Sequence, residues 1–334
     1  MRAVVLVGGV GTRLRPLTNN HPKQMLPIVG VPMIERVVST LGAHGVTEAV
    51  LSLGYRPDAF LDAYPNSVCA GVLLHYAVEP EPLDTAGAVR FAALSAEIDD
   101  TFIVVNGDVL TDLDVTELWE FHKSHSAEGT IALTPVTDPS RYGVVPTAED
   151  GRVLEFVEKP APGTAPTNWI NAGTYVLEPS VLDRIAPDRK VSIERETFPA
   201  MVAEQTLYAL HSDAYWIDAG TPSAYLRAQI DLIDGTRGSE EALADSEDID
   251  SSAVVTNSVL GADVVVGNGT VIHDSVVMDR VTIGPGVHIH GSIIASGARI
   301  GPDSSITALS VLGENVELPA RSELVGVHLP ESNE

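Results

Sequence analysis

The chain opens almost at once on VVLVGGVGTRLRPLTNNHPKQMLP, residues 4–27, and its architecture follows from there. The apolar run at 4–7 reads as a buried first strand of a parallel sheet. It breaks into Gly8, Gly9 and Gly11, which let the backbone turn tightly and bring bare N–H groups close to a ligand. Arg13 and Lys23 add fixed positive charge a short way on. Glycines alone make a tight strand-to-helix turn; glycines followed by two cations describe a cradle for a nucleoside triphosphate. The Walker A loop is excluded, because no Lys-Ser or Lys-Thr follows these glycines. The dinucleotide pattern G-x-G-x-x-G is excluded too, because counted from Gly9 its last glycine would fall on Leu14.

At 334 residues the chain is long enough for two domains and a sizeable core. Hydrophobic residues make up 44%, which argues against global disorder. The formal net charge is −26, from 46 acidic against 20 basic residues. That balance argues against a nucleic-acid partner, and an anionic substrate must meet a local island of Lys and Arg. Cys69 is the single cysteine, so no intrachain disulfide or cysteine-rich zinc site is available, and the thiol is expected to be a small buried hydrophobe. No apolar stretch reaches the length of a membrane span, so a cytoplasmic protein with no membrane partner is expected.

Beyond Pro27, Ile34, Val37, Val38 and Leu41 line one face of a helix. Residues 46–53 read as a strand ending at Gly54-Tyr55, 59–63 as helical, and 72–78 and 101–106 as further strands. A helix over 110–128 and a strand over 130–135 follow, with His122 and His125 expected on a solvated helix face. Such alternation predicts an α/β protein with a doubly wound, Rossmann-like mixed sheet, its ligands beyond the carboxyl ends of the strands. Several polar groups fall at such ends. EPEPLDTAGA, residues 79–88, joins a strand to a helix whose first turn can offer N–H groups. Asp108, in Asn106-Gly107-Asp108, suits a turn and also a hard divalent cation. Glu158-Lys159 suits an exposed ion pair, or the hydroxyls and phosphate of a sugar phosphate. Ser192 reads as a helix cap with Glu194 in the first turn, and Asp218 follows a short strand at 215–217.

The run G-G-x-G-T-R-L-x-P-L-T with P-K-x-M-L-P, N-G-D at 106–108, F-V-E-K-P at 156–160, Asn171-Ala172-Gly173 and S-x-E-x-x-x-F-P at 192–199 form one series. Together they resemble the signature of the sugar-1-phosphate nucleotidylyltransferases, most closely their mannose-1-phosphate guanylyltransferase branch. The resemblance implies an enzyme that joins a nucleoside triphosphate to a sugar 1-phosphate, releases pyrophosphate and uses Mg²⁺. It implies nucleotide contacts from Leu6, Gly8, Gly9, Gly11, Thr12, Arg13, Glu79, Asp84 and Gly87. Sugar-phosphate contacts come from Lys23, Gly143, Glu158, Lys159 and Asn171, and Asp108 and Asp218 hold the metal. Arg13, Lys23 and Asp108 carry the catalysis. Glu79 stands where thymidylyl-transferring relatives have Gln. A carboxylate only accepts hydrogen bonds and guanine offers N–H donors, so GTP with mannose 1-phosphate is favoured. Asp84 departs from the usual family glycine. Glucose 1-phosphate with dTTP or UTP is the alternative, and a non-catalytic nucleotide-sugar-binding subunit is the alternative of another class.

After the polar, acidic residues 235–250 the periodicity changes. Apolar residues recur six apart at Val254, Leu260, Val266, Ile272 and Met278, then after five-residue steps from Ile283 and from Ile294 to Leu324. That period is the signal of a left-handed parallel β-helix built of hexapeptides, in roughly four coils. Such tails stack subunits, so a homo-oligomer is expected. An acyltransferase, the other common use of this architecture, would need a long loop and a placed histidine; His288 and His290 read as surface residues. The expected organisation is a catalytic domain over 1–234, a linker over 235–250, the β-helix over 251–328 and a tail over 329–334.

Overall fold

In a computed structural model describing residues 1–54, 56–187, 189–242 and 248–331, the first apolar run becomes the strand Arg2–Leu6. Tyr55, residues 243–247 of the expected linker and 332–334 of the expected tail lie outside the described residues. The chain falls into two compact units: Met1–Gly9 with Ile34–Trp216, and Val10–Met33 with Ile217–Glu334.

In the first unit Arg2–Leu6 runs parallel between Glu48–Leu53 and Phe102–Asn106. Val72–Val78 extends the parallel part beyond Glu48–Leu53. On the other side the sheet turns antiparallel: Trp169–Leu177 pairs with both Phe102–Asn106 and Gly129–Pro135. The doubly wound mixed sheet expected from the alternation is therefore present. Ala3, Val4 and Val5 are fully buried, as a central strand covered on both faces requires. The core between sheet and helices gathers Val4, Val104, Phe102, Tyr175 and Phe198. Cys69 is buried, and burial pushes its thiol up to about 11, consistent with an inert apolar role.

Two expectations fail here. The helix begins at Val115, not at 110, because Leu110 lies in the short strand Val109–Thr111 and Asp114 caps the helix Val115–His125. Asp114 Oδ1 accepts from the N–H groups of Thr116 and Glu117 at 2.9 and 3.0 Å, closing the orphan first turn. His122 is not solvated: it is 0% exposed. Its Nδ1 lies 2.8 Å from Thr130 Oγ1 and its Nε2 3.2 Å from Glu178 Oε1. A neutral ring fits both partners, with Nε2–H donating to the carboxylate and Nδ1 accepting the hydroxyl proton. Burial holds the ring below the ordinary histidine value against the opposing pull of Glu178. His125 stacks on Phe121, with centroids 4.1 Å apart.

The second unit is led by three parallel sheets wound as a β-helix. One face carries Val254–Thr256, Val271–His273, His288–His290, Ser305–Thr307 and Glu323–Val325. Register fixes the coil at Val255↔Ile272, Ile272↔Ile289 and Ile289↔Ile306, so these turns take two six-residue sides and one of five, while the last, Ile306↔Leu324, takes three sides of six. This shifts two members of the expected series. Val255, not Val254, faces inward, and Val254 is 50% exposed. Val277, not Met278, continues the inward ladder, because Leu260 pairs with Val277. The short side falls between Ile272 and Val277, one corner earlier than the hexad count put it. Leu260, Val266, Ile272, Val277, Ile283, Ile289 and Ile294 form the stacked core. His288 and His290 are exposed, as expected. The helix Pro222–Ile233 belongs to the same unit, capped by Thr221 Oγ1, which accepts from Ala224 N at 3.3 Å. Among the described residues no helix is long and apolar enough to cross a membrane.

Because the fold depresses the His122 pKa, the unfolded chain takes up that proton first as pH falls through about 6.5. The stability this supplies is present above that pH and is lost as pH falls toward the folded value. Urea unfolding between pH 7.5 and 5.5 should show stability falling with pH in the wild type and a shallower fall in His122→Gln. Equal slopes would contradict a buried neutral ring.

Candidate active site

The first unit builds its candidate site from three strand ends. Leu6 is level with Ser52 on one side and with Asn106 on the other. Val7 N donates to Ser52 O at 3.1 Å, and Gly107 N to Leu6 O at 2.9 Å, so the chain segments leave the sheet side by side. From these exits hang Gly8 and Gly9, Asp108, and, through Ser52, Glu79. This is the carboxyl edge at which parallel sheets bind ligands. A Cβ added to Gly8 or Gly9 would meet nothing within 4 Å, and Gly9 has φ +94. Open space over bare amides is what an approaching polyphosphate needs. Asp108 is half-buried in the turn.

Glu79 is held by two donors. Ser52 Oγ donates to Oε1 at 3.0 Å and Leu83 N to Oε2 at 3.0 Å. Ser52 is itself fully buried, so the carboxylate is fixed from the sheet side while further lone pairs stay available. Asp84 has φ +62, starts the helix Asp84–Ser95 and accepts from Thr85 N at 2.8 Å. The expectation that this helix offers free first-turn N–H groups does not hold for Ala86 and Gly87. Both donate to Val191 O, at 2.9 and 3.2 Å. Gly87 instead permits close packing, since a Cβ there would sit 2.8 Å from Leu83 Cβ.

Sequence reading missed what joins this loop to residues 191–195. Thr85 Oγ1 and Ser192 Oγ both donate to Glu194 Oε2 at 2.7 Å, and Ile193 N donates to Thr85 Oγ1 at 2.9 Å. Ser192 also accepts from Arg195 N at 3.3 Å, as its reading as a cap requires. Ser52 was missed for the same reason: a polar residue in an apolar strand does not announce which distant carboxylate it faces.

The expected sugar-side residues occupy the antiparallel half of the sheet. Gly143 pairs with Glu158, and a Cβ on Gly143 would lie 2.6 Å from Phe156 Cζ and 3.2 Å from Glu158 Oε2. Lys159 Nζ donates to Glu158 Oε1 at 2.7 Å, with Lys159 60% exposed. An exposed pair of this kind is worth little, so the ammonium can trade the carboxylate for a phosphate at small cost. Asn171 sits at a bulge opposite Gly129–Pro135. Its Nδ2 donates to Tyr175 OH at 2.8 Å and its Oδ1 accepts from Gly173 N at 2.9 Å, which fixes the amide and leaves one further hydrogen bond at each end. Burial pushes the Tyr175 phenol far up, so it stays neutral.

The second unit holds Gly11, Thr12, Arg13, Lys23 and Asp218. Gly11 has φ +67, and a Cβ there would lie 3.1 Å from Thr18 Cγ2 and 3.2 Å from Lys23 Cβ. Its carbonyl accepts from Leu14 N at 3.0 Å and Thr18 Oγ1 at 2.8 Å. The short turn Thr12–Leu14 buries Leu14 and leaves Thr12 and Arg13 exposed. Asp218 ends the strand Trp216–Asp218 and accepts from Gly220 N at 2.9 Å through Oδ1. Asp108 and Asp218 are hard oxygen donors, the ligand chemistry Mg²⁺ takes.

Comparison with known proteins adds the following. Residues 2–235 match the family described as nucleotidyl transferase, and 223–324 match the EIF2B subunit epsilon LbH domain. The latter match supplies the left hand of the β-helix. The chain is 39% identical over 279 residues to a mannose-1-phosphate guanylyltransferase of Mycobacterium tuberculosis, covering 80% of this chain and 77% of that one. It is 42% identical over 255 residues to a mannose-1-phosphate guanyltransferase of Gibberella zeae, covering 74% and 69%. The crystal structure of HddC from Yersinia pseudotuberculosis complexed with GMP-PN is similar with a TM-score of 0.59 at 33% identity, over 68% of this chain and 97% of that one.

One glycine ties the two halves of the first unit's site together. Gly173 has φ +76, and a Cβ there would lie 2.5 Å from Asn106 Nδ2, in the turn that carries Asp108. Gly173→Ala should lower stability by about 1–2 kcal/mol from the left-handed backbone alone, read as a lower urea midpoint. An unchanged midpoint would mean that the backbone at 173 does not hold this conformation.

Proposed function

From the premise that the chain belongs to the nucleotidyl transferase family and is an enzyme of that kind, we propose that it joins GTP to mannose 1-phosphate, forming GDP-mannose and pyrophosphate. The observation that carries the choice of base is Glu79. Ser52 and Leu83 both donate to its carboxylate, which holds it at the strand end as an acceptor with lone pairs to spare. Guanine presents N1–H and N2–H donors on one edge and suits such a group. A Gln there would have to turn its NH₂ toward one of the two donors. The relatives named mannose-1-phosphate guanylyltransferase and the relative crystallised with GMP-PN support the same reading.

In this mechanism an oxygen of the sugar 1-phosphate attacks the α-phosphorus in line. A new P–O bond forms, the bond from the α-phosphorus to the bridging oxygen breaks, and pyrophosphate leaves with that electron pair. The nucleophile is already an anion, so no general base is needed. What the reaction lacks is positioning and relief of charge between approaching anions. Leu6, Gly8, Gly9, Gly11 and Thr12 frame the triphosphate, with Asp84 and Gly87 shaping the base loop. Arg13 stabilises the α-phosphate and the leaving pyrophosphate, and Lys23 holds the α-phosphate and the incoming sugar phosphate. Lys159, Glu158, Asn171 and Gly143 seat the sugar phosphate. Asp108 and Asp218 are the carboxylates assigned to Mg²⁺, which when bound neutralises charge on the polyphosphate. The domain assignment we adopt is catalysis over 1–234, a linker over 235–250, the β-helix over 251–328 and a tail over 329–334. We take the enzyme to be cytoplasmic and to assemble with copies of itself through the β-helix.

Pyrophosphate release should be fastest with GTP and mannose 1-phosphate in a panel pairing ATP, GTP, UTP and dTTP with several hexose 1-phosphates. No release with any pairing would favour a non-catalytic nucleotide-sugar-binding subunit. Asp108→Asn should lower turnover by about 10²-fold or more with folding intact, the scale expected when a charge-stabilising group is lost. Near-normal turnover at saturating Mg²⁺ would remove Asp108 from the metal role. Glu79→Gln should cut the preference for GTP over UTP by roughly 10-fold or more, the scale of one hydrogen bond to a charged group; an unchanged preference would exclude Glu79 as the reader of the base.

A further inference from the structure

We propose that Glu314, on the β-helix, is a positioning residue for the segment that carries Arg13 and Lys23. The inference rests on the reading above that these two cations act on the triphosphate. Residues 10–33 form one compact unit with 217–334, and Glu314 is one place where the two stretches are hydrogen-bonded to each other. Glu314 Oε2 accepts from Asn20 Nδ2 at 3.0 Å, and Oε1 lies 2.8 Å from His21 Nε2. A carboxylate only accepts, so this nitrogen of His21 carries the proton. Glu314 is 24% exposed and His21 47%, so the contact lies at the surface and rests on its two hydrogen bonds.

The grip starts from a rigid corner. The strand Val311–Leu312 pairs on both sides, with Ile293–Ile294 and His328–Leu329. Gly313 follows, and a Cβ there would lie 3.1 Å from each of Leu329 O, Pro16 Cβ and Pro330 Cδ. Pro16 thus packs against the coil at the residue beside Glu314. On the other side, Asn20 and His21 stand between Thr18, whose hydroxyl holds Gly11 O, and Lys23, whose Cβ side lies against Gly11. Between residues 10 and 26 the only regular elements are two three-residue turns, Thr12–Leu14 and Lys23–Met25. Short turns and the burial of Leu14, Leu17 and Gln24 hold this segment, with no long strand or helix to stiffen it. The coil corner adds a fixed contact from outside, and through it the β-helix has a part in catalysis beyond assembly.

The test uses the full chain and compares wild type with Glu314→Ala, Glu314→Gln and a control, Glu323→Ala, on an exposed β-helix position. The first readout needs no activity: amide hydrogen exchange of peptides spanning 11–25. Glu314→Ala should speed exchange there while the peptides covering 259–300 stay unchanged. Glu314→Gln should stay near wild type, because its oxygen still accepts from Asn20 and His21 can change tautomer to accept from the new NH₂. The second readout is kinetic. Glu314→Ala should lower kcat by roughly 10-fold or more, the scale of a small misplacement of charged groups, with a thermal midpoint close to wild type. Unchanged exchange over 11–25 overturns the proposal, as does a kcat loss shared equally by Glu323→Ala. If the wild type releases no pyrophosphate with any substrate pair, the functional reading fails, and the exchange data still decide whether Glu314 holds the segment.

Discussion

The parallel pairing of Arg2–Leu6 between Glu48–Leu53 and Phe102–Asn106 is the constraint on which the first unit's chemistry depends. A slip of one residue would exchange the faces of Ala3, Val4 and Val5, but in a strand buried on both sides that alone is weakly penalised. What fixes the register is the strand ends. Val7 N on Ser52 O and Gly107 N on Leu6 O tie the exits together, and Ser52 and Asp108 fall at one edge as a result. Glu79 joins them through the Ser52 hydroxyl. The glycine loop, Glu79 and Asp108 are then neighbours through sheet geometry rather than through loop conformation.

The second unit solves a different problem. Its coil takes 17 residues from Val255 to Ile272 and again to Ile289. Each inward residue stacks on its counterpart one coil away, giving a core that needs no helices to cover it. Such a rod is a stiff reference frame. Its corner at Gly313 and Glu314 meets Pro16, Asn20 and His21, in a stretch whose own backbone has few hydrogen-bonded repeats.

Local signals were legible in the sequence. The glycine run, N-G-D and E-K-P each declare themselves within a few residues, because turn chemistry and side-chain charge are written locally. The β-helix was legible through its period, yet the hexad series runs through Val254 and Met278 where the inward ladder runs through Val255 and Val277. A hexad count cannot see which side of the triangle is short; only the pairing of coils reveals it. Nonlocal polar contacts were not legible. His122 is neutral and buried because Thr130 and Glu178 complete it, and nothing in its helix shows that. The amides of Ala86 and Gly87 are taken by the carbonyl of Val191, a partner about a hundred residues away. Thr85, Ser192 and Glu194 form one network across about a hundred residues of chain, beyond the reach of any spacing rule.

On the proposed function, the strand ends at Leu6, Ser52 and Asn106 frame a guanine nucleotide. A crystal structure of the protein grown with a non-hydrolysable GTP analogue tests it most directly. The phosphates should lie over Gly8 and Gly9, with the guanine N1–H and N2–H edge within hydrogen-bond distance of Glu79. A nucleotide bound away from that edge of the sheet, or one whose base turns from Glu79, would contradict it.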